Sequence, residues 1–212
     1  MNLIIKKVSA VATSFFVGSL LLAGVANRST SADVPPESSN IYTNASAQEA
    51  TVNTANQYVT VKNNRYILNL PVGTGFTDQQ ITMVQDMINK ANDTVSSQNL
   101  IINPITKTSS IRSNVLGISL RAASNGRYTF TNFWWGTRYY MRSNAAVEQL
   151  AHEFTGYAQV LTAGAAGVVA GAGALFYNNM ASNIRYYNST HSKNQIYMDF
   201  SWSGIYSLHV LK

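Results

Sequence analysis

The twenty residues from Ala158 to Tyr177 constrain the fold of this chain more than any other stretch. They include four glycines and seven alanines and carry no charge. Twenty helical residues span about 30 Å, which is the hydrocarbon thickness of a bilayer. Few of these residues are strongly apolar, and a glycine inside a helix costs roughly 1 kcal/mol relative to alanine, so transfer into lipid is close to neutral. The stretch is therefore either a segment that enters membranes or a helix buried in a folded domain, and one protein can adopt both states.

Small residues in this stretch predict close packing against a second helix. Gly167 and Gly171 form a G-x-x-x-G motif, and Gly164 extends the same small-residue surface by one turn. In the buried alternative, the stretch packs on a preceding helix whose apolar stripe consists of Val147, Leu150, Ala151 and Phe154. The candidate residues for membrane insertion or helix packing are Gly164, Gly167, Gly171, Val168, Val169, Leu175 and Phe176.

The N-terminal residues have the pattern of a secretory signal peptide. Lys6 and Lys7 precede a charge-free run over residues 8–26, and small residues compatible with cleavage follow it. We assign residues 1–32 to a signal peptide, with an uncleaved anchor as the alternative. The protein is then expected to be secreted and extracellular. Because the chain has no cysteine, it must be held together by packing alone.

The composition of the remaining chain divides it into three segments. Residues 33–56 are rich in Ser, Thr, Asn and Ala and poor in large apolar side chains, which predicts a disordered spacer or pro-segment. Residues 57–99 are expected to form a β-hairpin that turns at Asn63-Asn64, followed by an amphipathic helix capped by Thr77. Residues 100–212 form a cationic module rich in aromatic, alanine and glycine residues.

Strands are predicted on both sides of the helical part of this module. Aromatic and β-branched residues dominate 128–141, and apolar residues alternate along 196–210. Ser143 or Asn144 can cap the intervening helix. For residues 100–127 the pattern supports at most a strand or two. The predicted fold class is α+β, with small antiparallel strands around a helical Ala/Gly-rich hairpin.

Charge is distributed unevenly along the chain. Residues 33–99 hold three basic and six acidic residues, whereas residues 100–212 hold nine basic and three acidic residues. A cationic surface attracts nucleic acid or anionic lipid and wall polymers, and a secreted protein meets the latter. We therefore expect anionic bacterial membranes or envelope polymers as partners, a possible homo-oligomer, and no nucleic acid. The residues of a candidate aromatic and cationic surface are Trp134, Trp135, Arg138, Arg142 and Trp202. For the first four, core and strand packing is expected, with a patch that binds lipid or glycan as the alternative.

The sequence offers little for catalysis. His152-Glu153 begins like the zinc-protease motif H-E-x-x-H, but Gly156 occupies the position of the second histidine. Nucleophile-elbow, Walker and dinucleotide-binding motifs are missing as well. We therefore expect no enzyme, no metal site and no cofactor.

The order of several motifs resembles a known group of proteins. These motifs are a YVTVKNNRYILNLP hairpin, a capped helix, NFWWGTRYYMRSN, an Ala/Gly-rich apolar segment and a closing DFSWSGIYSLH. The pattern, over roughly Tyr58 to Lys212, is similar to secreted Gram-positive proteins, some of which are described as large, heat-labile bacteriocins of the geobacillin type. The strongest matches are Trp134 to Gly136 and Trp202 to Ile205. The resemblance implies antibacterial action at the target membrane, and it supplies no catalytic residues.

Two functions are therefore expected. The first is a secreted, bacteriocin-like antimicrobial protein that inserts into or permeabilises the target membrane. The alternative is a non-toxic cell-surface or adhesion module in which the Ala/Gly-rich helix is permanently buried.

Overall fold

A computed structural model describes residues 37–111, 127–164 and 168–212 of the chain. Within them, side chains are described for residues 45–111, 127–161 and 173–212. The assigned signal peptide, residues 1–32, and Gly167 lie outside the described residues. The helices are α1 (Glu37–Ala55), α2 (Asp78–Ser97), α3 (Asn144–Gly164) and α4 (Val168–Thr190). The strands are β1 (Val59–Lys62), β2 (Arg65–Leu68), β3 (Leu100–Asn103), β4 (Thr108–Ile111), β5 (Thr129–Phe133), β6 (Gly136–Met141), β7 (Ile196–Ser201) and β8 (Tyr206–Val210). The fold is α+β, as predicted.

The first hairpin forms where the sequence predicted it. Strands β1 and β2 pair antiparallel, and both turn residues, Asn63 and Asn64, adopt positive φ values of 51° and 57°. Asparagine tolerates this left-handed conformation, which a two-residue hairpin turn requires. The Asn64 side chain also donates to the Leu100 carbonyl and accepts from the Ile102 amide, at 2.9 and 2.8 Å. The turn residue therefore satisfies backbone groups of β3, the first strand of the larger sheet.

The capping box at the start of α2 is also confirmed. Thr77 Oγ1 accepts from the Gln80 amide, and the Gln80 side chain accepts from the Thr77 amide. These two bonds satisfy amide groups that have no partner within the helix. The buried face of α2 includes Val84, Met87, Ile88, Ala91 and Val95.

Strands β3 to β8 form one antiparallel sheet in sequence order. The two regions predicted as strand each fold into a hairpin, β5–β6 and β7–β8. Trp134-Trp135 makes the first turn, because Phe133 pairs with Gly136. A Cβ atom at Gly136 would lie 2.2 Å from the Phe200 carbonyl oxygen, so only glycine fits where β6 meets β7.

Residues 158–177 do not form one continuous helix. The stretch is divided between the end of α3 at Gly164 and the start of α4 at Val168. This corrects the reading of the stretch as a single helix of membrane-spanning length. Glycine-rich sequence has low helix propensity, and a chain that folds back lets small residues of both halves bury one another. Ala158 and Ala174 are accordingly 1% and 3% exposed. Among the described helices, none combines the length and the apolar character needed to cross a membrane.

The prediction of a disordered segment over residues 33–56 is wrong for the part that the structure describes. Residues 37–55 form α1, which is followed by a short 3₁₀ turn, Asn56–Tyr58. The small side chains of Ala45, Thr51 and Ala55 are buried, and their size lets α1 lie close to the elements that it packs on. Hydrogen bonds also fix it: the Ser203 hydroxyl donates to Gln48, and the Gln80 side chain donates to the Thr51 hydroxyl. Composition missed this helix because most of its buried side chains are small or polar, with Val52 as the larger apolar one.

Two hydrophobic cores lie in the same compact unit. One joins α1, the β1–β2 hairpin, α2 and β3 around Trp134, and it draws on residues from both sides of the boundary predicted at Leu100. The other lies between the helices α3 and α4 and one face of β6, β7 and β8. Inward-facing residues of these strands include Tyr139, Met141, Ile196 and Met198, all at most 3% exposed.

Candidate functional site

The candidate site is the helical hairpin formed by α3 and α4. Its first helix begins with a serine cap, because Ser143 Oγ accepts from the Ala146 amide at 3.2 Å. The predicted apolar stripe then faces the sheet. Its members, Val147, Leu150, Ala151 and Phe154, are each at most 3% exposed.

Side-chain pairs along the two helices define an antiparallel arrangement. Asn188 donates to Asn144 at 3.0 Å, and Arg185 forms an ion pair with Glu148 at 2.9 Å. Further along, the rings of Phe154 and Tyr177 stack with centroids 6.0 Å apart. Residues later in α3 therefore contact residues earlier in α4, so the two helices run antiparallel and form a hairpin.

Aromatic rings hold one part of this hairpin against the sheet. Phe154 contacts Tyr139 of β6 with ring centroids 6.2 Å apart. Phe176 contacts Phe200 and Tyr206 at 6.3 and 6.0 Å. We call residues 144–157 and 176–190 the base of the hairpin. Phe176, a candidate membrane residue from the sequence, is thus part of the packing between base and sheet.

The remaining residues of the two helices form the tip, which we define as residues 158–164 and 168–175. From Phe176 to the start of α4 the tip extends about 12 Å at the usual helical rise. Val160 and Leu175 are 68% and 64% exposed there, although both are strongly apolar. Of the other candidate residues, Gly164, Val168, Val169 and Gly171 lie in the helices that form the tip. Their side-chain environments lie outside the description.

Charge is confined to the base of the hairpin. Glu153 is the last charged residue of α3 and Arg185 is the first of α4, so residues 154–184 carry no charge at all. The Tyr128 hydroxyl donates a short hydrogen bond to Glu153. Burial and this carboxylate raise the pKa of Tyr128, and burial with nearby phenols and Glu153 raises the pKa of Tyr139. Burial likewise raises the pKa of Tyr157 to about 12. These tyrosines are therefore neutral at ordinary pH.

The predicted aromatic and cationic surface is only partly a surface. Trp134 is fully buried, and its indole N–H donates to Asn56 Oδ1 at 2.9 Å. It is a core residue, which corrects its assignment to a binding patch. Trp202 is half-buried and donates its indole N–H to the Phe133 carbonyl at 3.3 Å. Trp135 is half-buried and stacks on Phe133 with ring centroids 5.0 Å apart.

The two arginines of this predicted surface differ. Arg138 makes a bidentate ion pair with Asp199, at 2.6 and 2.7 Å, and its guanidinium lies 4.4 Å from the Tyr197 ring centroid. Hydrogen bonding to Asp199 raises the pKa of Arg138 further above its already high ordinary value. Arg142 is exposed and lies over the Tyr140 ring at 5.1 Å. Arg142 is therefore the more accessible of the two charges to an anionic partner.

A cleft lies between α1 and the sheet face that carries Arg138. Its volume is about 80 Å³, and Gln48, Glu49, Trp135, Arg138 and Asp199 contribute to its lining. Sites for small molecules usually enclose about 300–1,000 Å³. The described residues also contain no group of three or more side chains able to hold a metal ion.

Sequence reasoning missed the division of the hairpin into base and tip. Tyr157 and Tyr177 belong to the aromatic contacts of the base. Val160 is not among the candidate residues from the sequence, although it is a large apolar side chain of α3 that is 68% exposed. The signal in the sequence that could have indicated this division is the change from large aromatic residues to Ala and Gly after Tyr157.

Comparison with known proteins gives no match for this chain among family models, curated proteins or solved structures.

Proposed function

We propose that this chain is a secreted, bacteriocin-like antibacterial protein that acts on the membrane of target cells through its helical hairpin. The observation that carries the proposal is the tip, where two uncharged helices expose Val160 and Leu175. The resemblance to secreted bacteriocins supports the same function.

The physical argument rests on two costs that the tip avoids. A charged side chain carried to the centre of a bilayer costs about 2.5–3.5 kcal/mol on the insertion scale, and residues 154–184 contain none. Backbone groups must also stay hydrogen-bonded in lipid, and helices satisfy them internally. Exposed apolar side chains gain by leaving water. The cationic C-terminal part draws the protein to anionic envelopes, and glycines Gly164, Gly167 and Gly171 bring several copies into close contact in the membrane.

The test is release of a trapped dye from vesicles rich in anionic lipid, together with killing of related bacteria. Leu175→Asp places a charge on the exposed part of the tip and is expected to reduce both activities by more than about tenfold, given the cost of burying a carboxylate. Tyr186→Asp is the matched control. Tyr186 is 70% exposed on the base of the same helix, so the variant has the same net charge and should retain activity.

Both variants change exposed residues, so their thermal unfolding should match that of the wild type. If the wild-type protein releases no dye and kills no related bacteria, the proposal is wrong. If Leu175→Asp is as active as Tyr186→Asp, the tip is not the inserting element.

The adhesion module is the second candidate, and the packing of the base favours it. Ile184 and Met180 of α4 are completely buried, so this half of the hairpin stays attached to the sheet. Binding to isolated cell walls with no change in membrane potential of living cells would support adhesion over membrane damage.

A further inference from the structure

The tip of the hairpin and two tryptophan-containing turns lie at the same end of the sheet. Asn188 of α4 contacts Asn144, which follows the end of β6 that lies opposite the Trp134-Trp135 turn. Phe176, twelve residues earlier in α4, contacts Phe200 and Tyr206 beside the turn between β7 and β8. The helix therefore runs towards the turns as residue number falls, and the tip begins beside them.

The two turns are linked to each other at this end. The Trp202 amide donates to the Trp135 carbonyl at 3.0 Å, which joins the β7–β8 turn to the β5–β6 turn. Both tryptophans are half-buried, and Lys90 of α2 donates its ammonium to the Trp202 carbonyl at 2.9 Å. We call Trp135, Trp202 and Lys90 the turn platform.

The chemistry of the turn platform suits the boundary between water and lipid. Tryptophan is enriched at the level of the lipid headgroups, and the apolar stem of a lysine can lie along hydrocarbon while its ammonium meets phosphate. A tip that enters the bilayer along its length of roughly 12 Å brings the platform, which lies beside its first contacts with the sheet, to the headgroups.

We infer that the turn platform is a second lipid-contacting surface, which lies at the headgroup level of the target bilayer and sets the depth to which the tip enters. This inference rests on the proposed function. It adds an orientation: the strands point their tryptophan turns at the membrane, and the opposite end of the sheet, beside Asn144 and Ile196, faces water.

The absence of cysteine allows the depth of two sites to be measured separately. Leu175→Cys and Tyr186→Cys, each labelled with an environment-sensitive dye, report on the tip and on the base. Tryptophan emission reports on the platform when lipids brominated at shallow or deep acyl positions are used as quenchers. Trp135→Phe leaves Trp202 as the platform reporter. The double variant Trp135→Phe/Trp202→Phe leaves only the buried Trp134 as control.

The expected result is a blue shift of the dye at position 175, little change at position 186, and quenching of Trp202 that is stronger for shallow than for deep bromines. Emission of the double variant should not change. A blue shift of the label at position 175 without quenching of Trp202 overturns the inference that the turn platform contacts lipid. The proposed function is not affected by that result. Absence of both dye release and a blue shift at position 175 refutes the proposed function itself. Quenching of Trp202 without dye release supports docking and refutes permeabilisation.

Discussion

The base and the tip of the helical hairpin belong to the same two helices but are stabilised in different ways. In the base, large side chains such as Phe154, Met180 and Ile184 are at most 3% exposed and pack on a six-stranded sheet. In the tip, the buried side chains described are the alanines Ala158 and Ala174, and the larger Val160 and Leu175 are exposed. Burial of large apolar side chains dominates folding stability. The base therefore contributes more to the stability of the fold than the exposed side chains of the tip do.

The largest expected effect comes from cutting side chains in the base. Ile184→Ala should lower the free energy of unfolding by about 2–5 kcal/mol, since it removes completely buried methyl groups and leaves a cavity. Val160→Ala in the tip removes an exposed side chain and should change the free energy of unfolding by less than about 0.5 kcal/mol. Chemical denaturation of both variants measures the difference. Equal losses would contradict the division between base and tip.

Alkaline pH should next weaken the packing between the base and the sheet. The folded protein raises the pKa values of Tyr128 and Tyr139 on the sheet side and of Tyr157 in the base, whereas tyrosines of an unfolded chain titrate near 10. This stability is thus fully present below about pH 10 and is lost progressively as the pH rises towards the pKa values of the folded state, which is about 12 for Tyr157.

Thermal unfolding at a series of pH values measures this fall. Tyr139→Phe should make it shallower, because the variant lacks one phenol that the fold keeps neutral. Tyr186→Phe removes a hydroxyl from an exposed tyrosine and controls for the substitution. A fall that is just as steep in Tyr139→Phe would exclude Tyr139 as one of its sources.

The smallest expected effects concern glycines near the boundary between base and tip. A Cβ atom at Gly156 meets nothing within 4 Å, so Gly156→Ala should stabilise α3 by up to about 1 kcal/mol. A Cβ atom at Gly173 lies 3.1 Å from Leu161 Cδ1, so part of the gain in Gly173→Ala is lost to crowding between the helices. Unfolding midpoints should rise more for Gly156→Ala. The opposite order would mean that α3 and α4 separate easily at the tip.

Local patterns predicted the elements whose stabilising contacts are close in sequence. Asn63-Asn64 supplied the two left-handed residues of a turn, and Thr77 with Gln80 formed a capping box within four residues. Helix α1 escaped prediction because its contacts come from distant residues, such as Ser203 on Gln48. Similarly, the sequence does not show whether a tryptophan in a turn is exposed or buried. Trp134 is buried because distant residues surround it, and its indole N–H donates to Asn56.

The sequence by itself determined the α+β composition, the caps of α2 and α3, the Asn63-Asn64 turn and the uncharged character of residues 154–184. These properties depend on side-chain chemistry and on spacing along a few turns of helix or strand. Only the tertiary structure decided where the Ala/Gly-rich stretch divides into two helices and which of its apolar residues stay exposed. Those outcomes depend on contacts between residues distant in sequence, such as those of Phe176 with Phe200 and Tyr206.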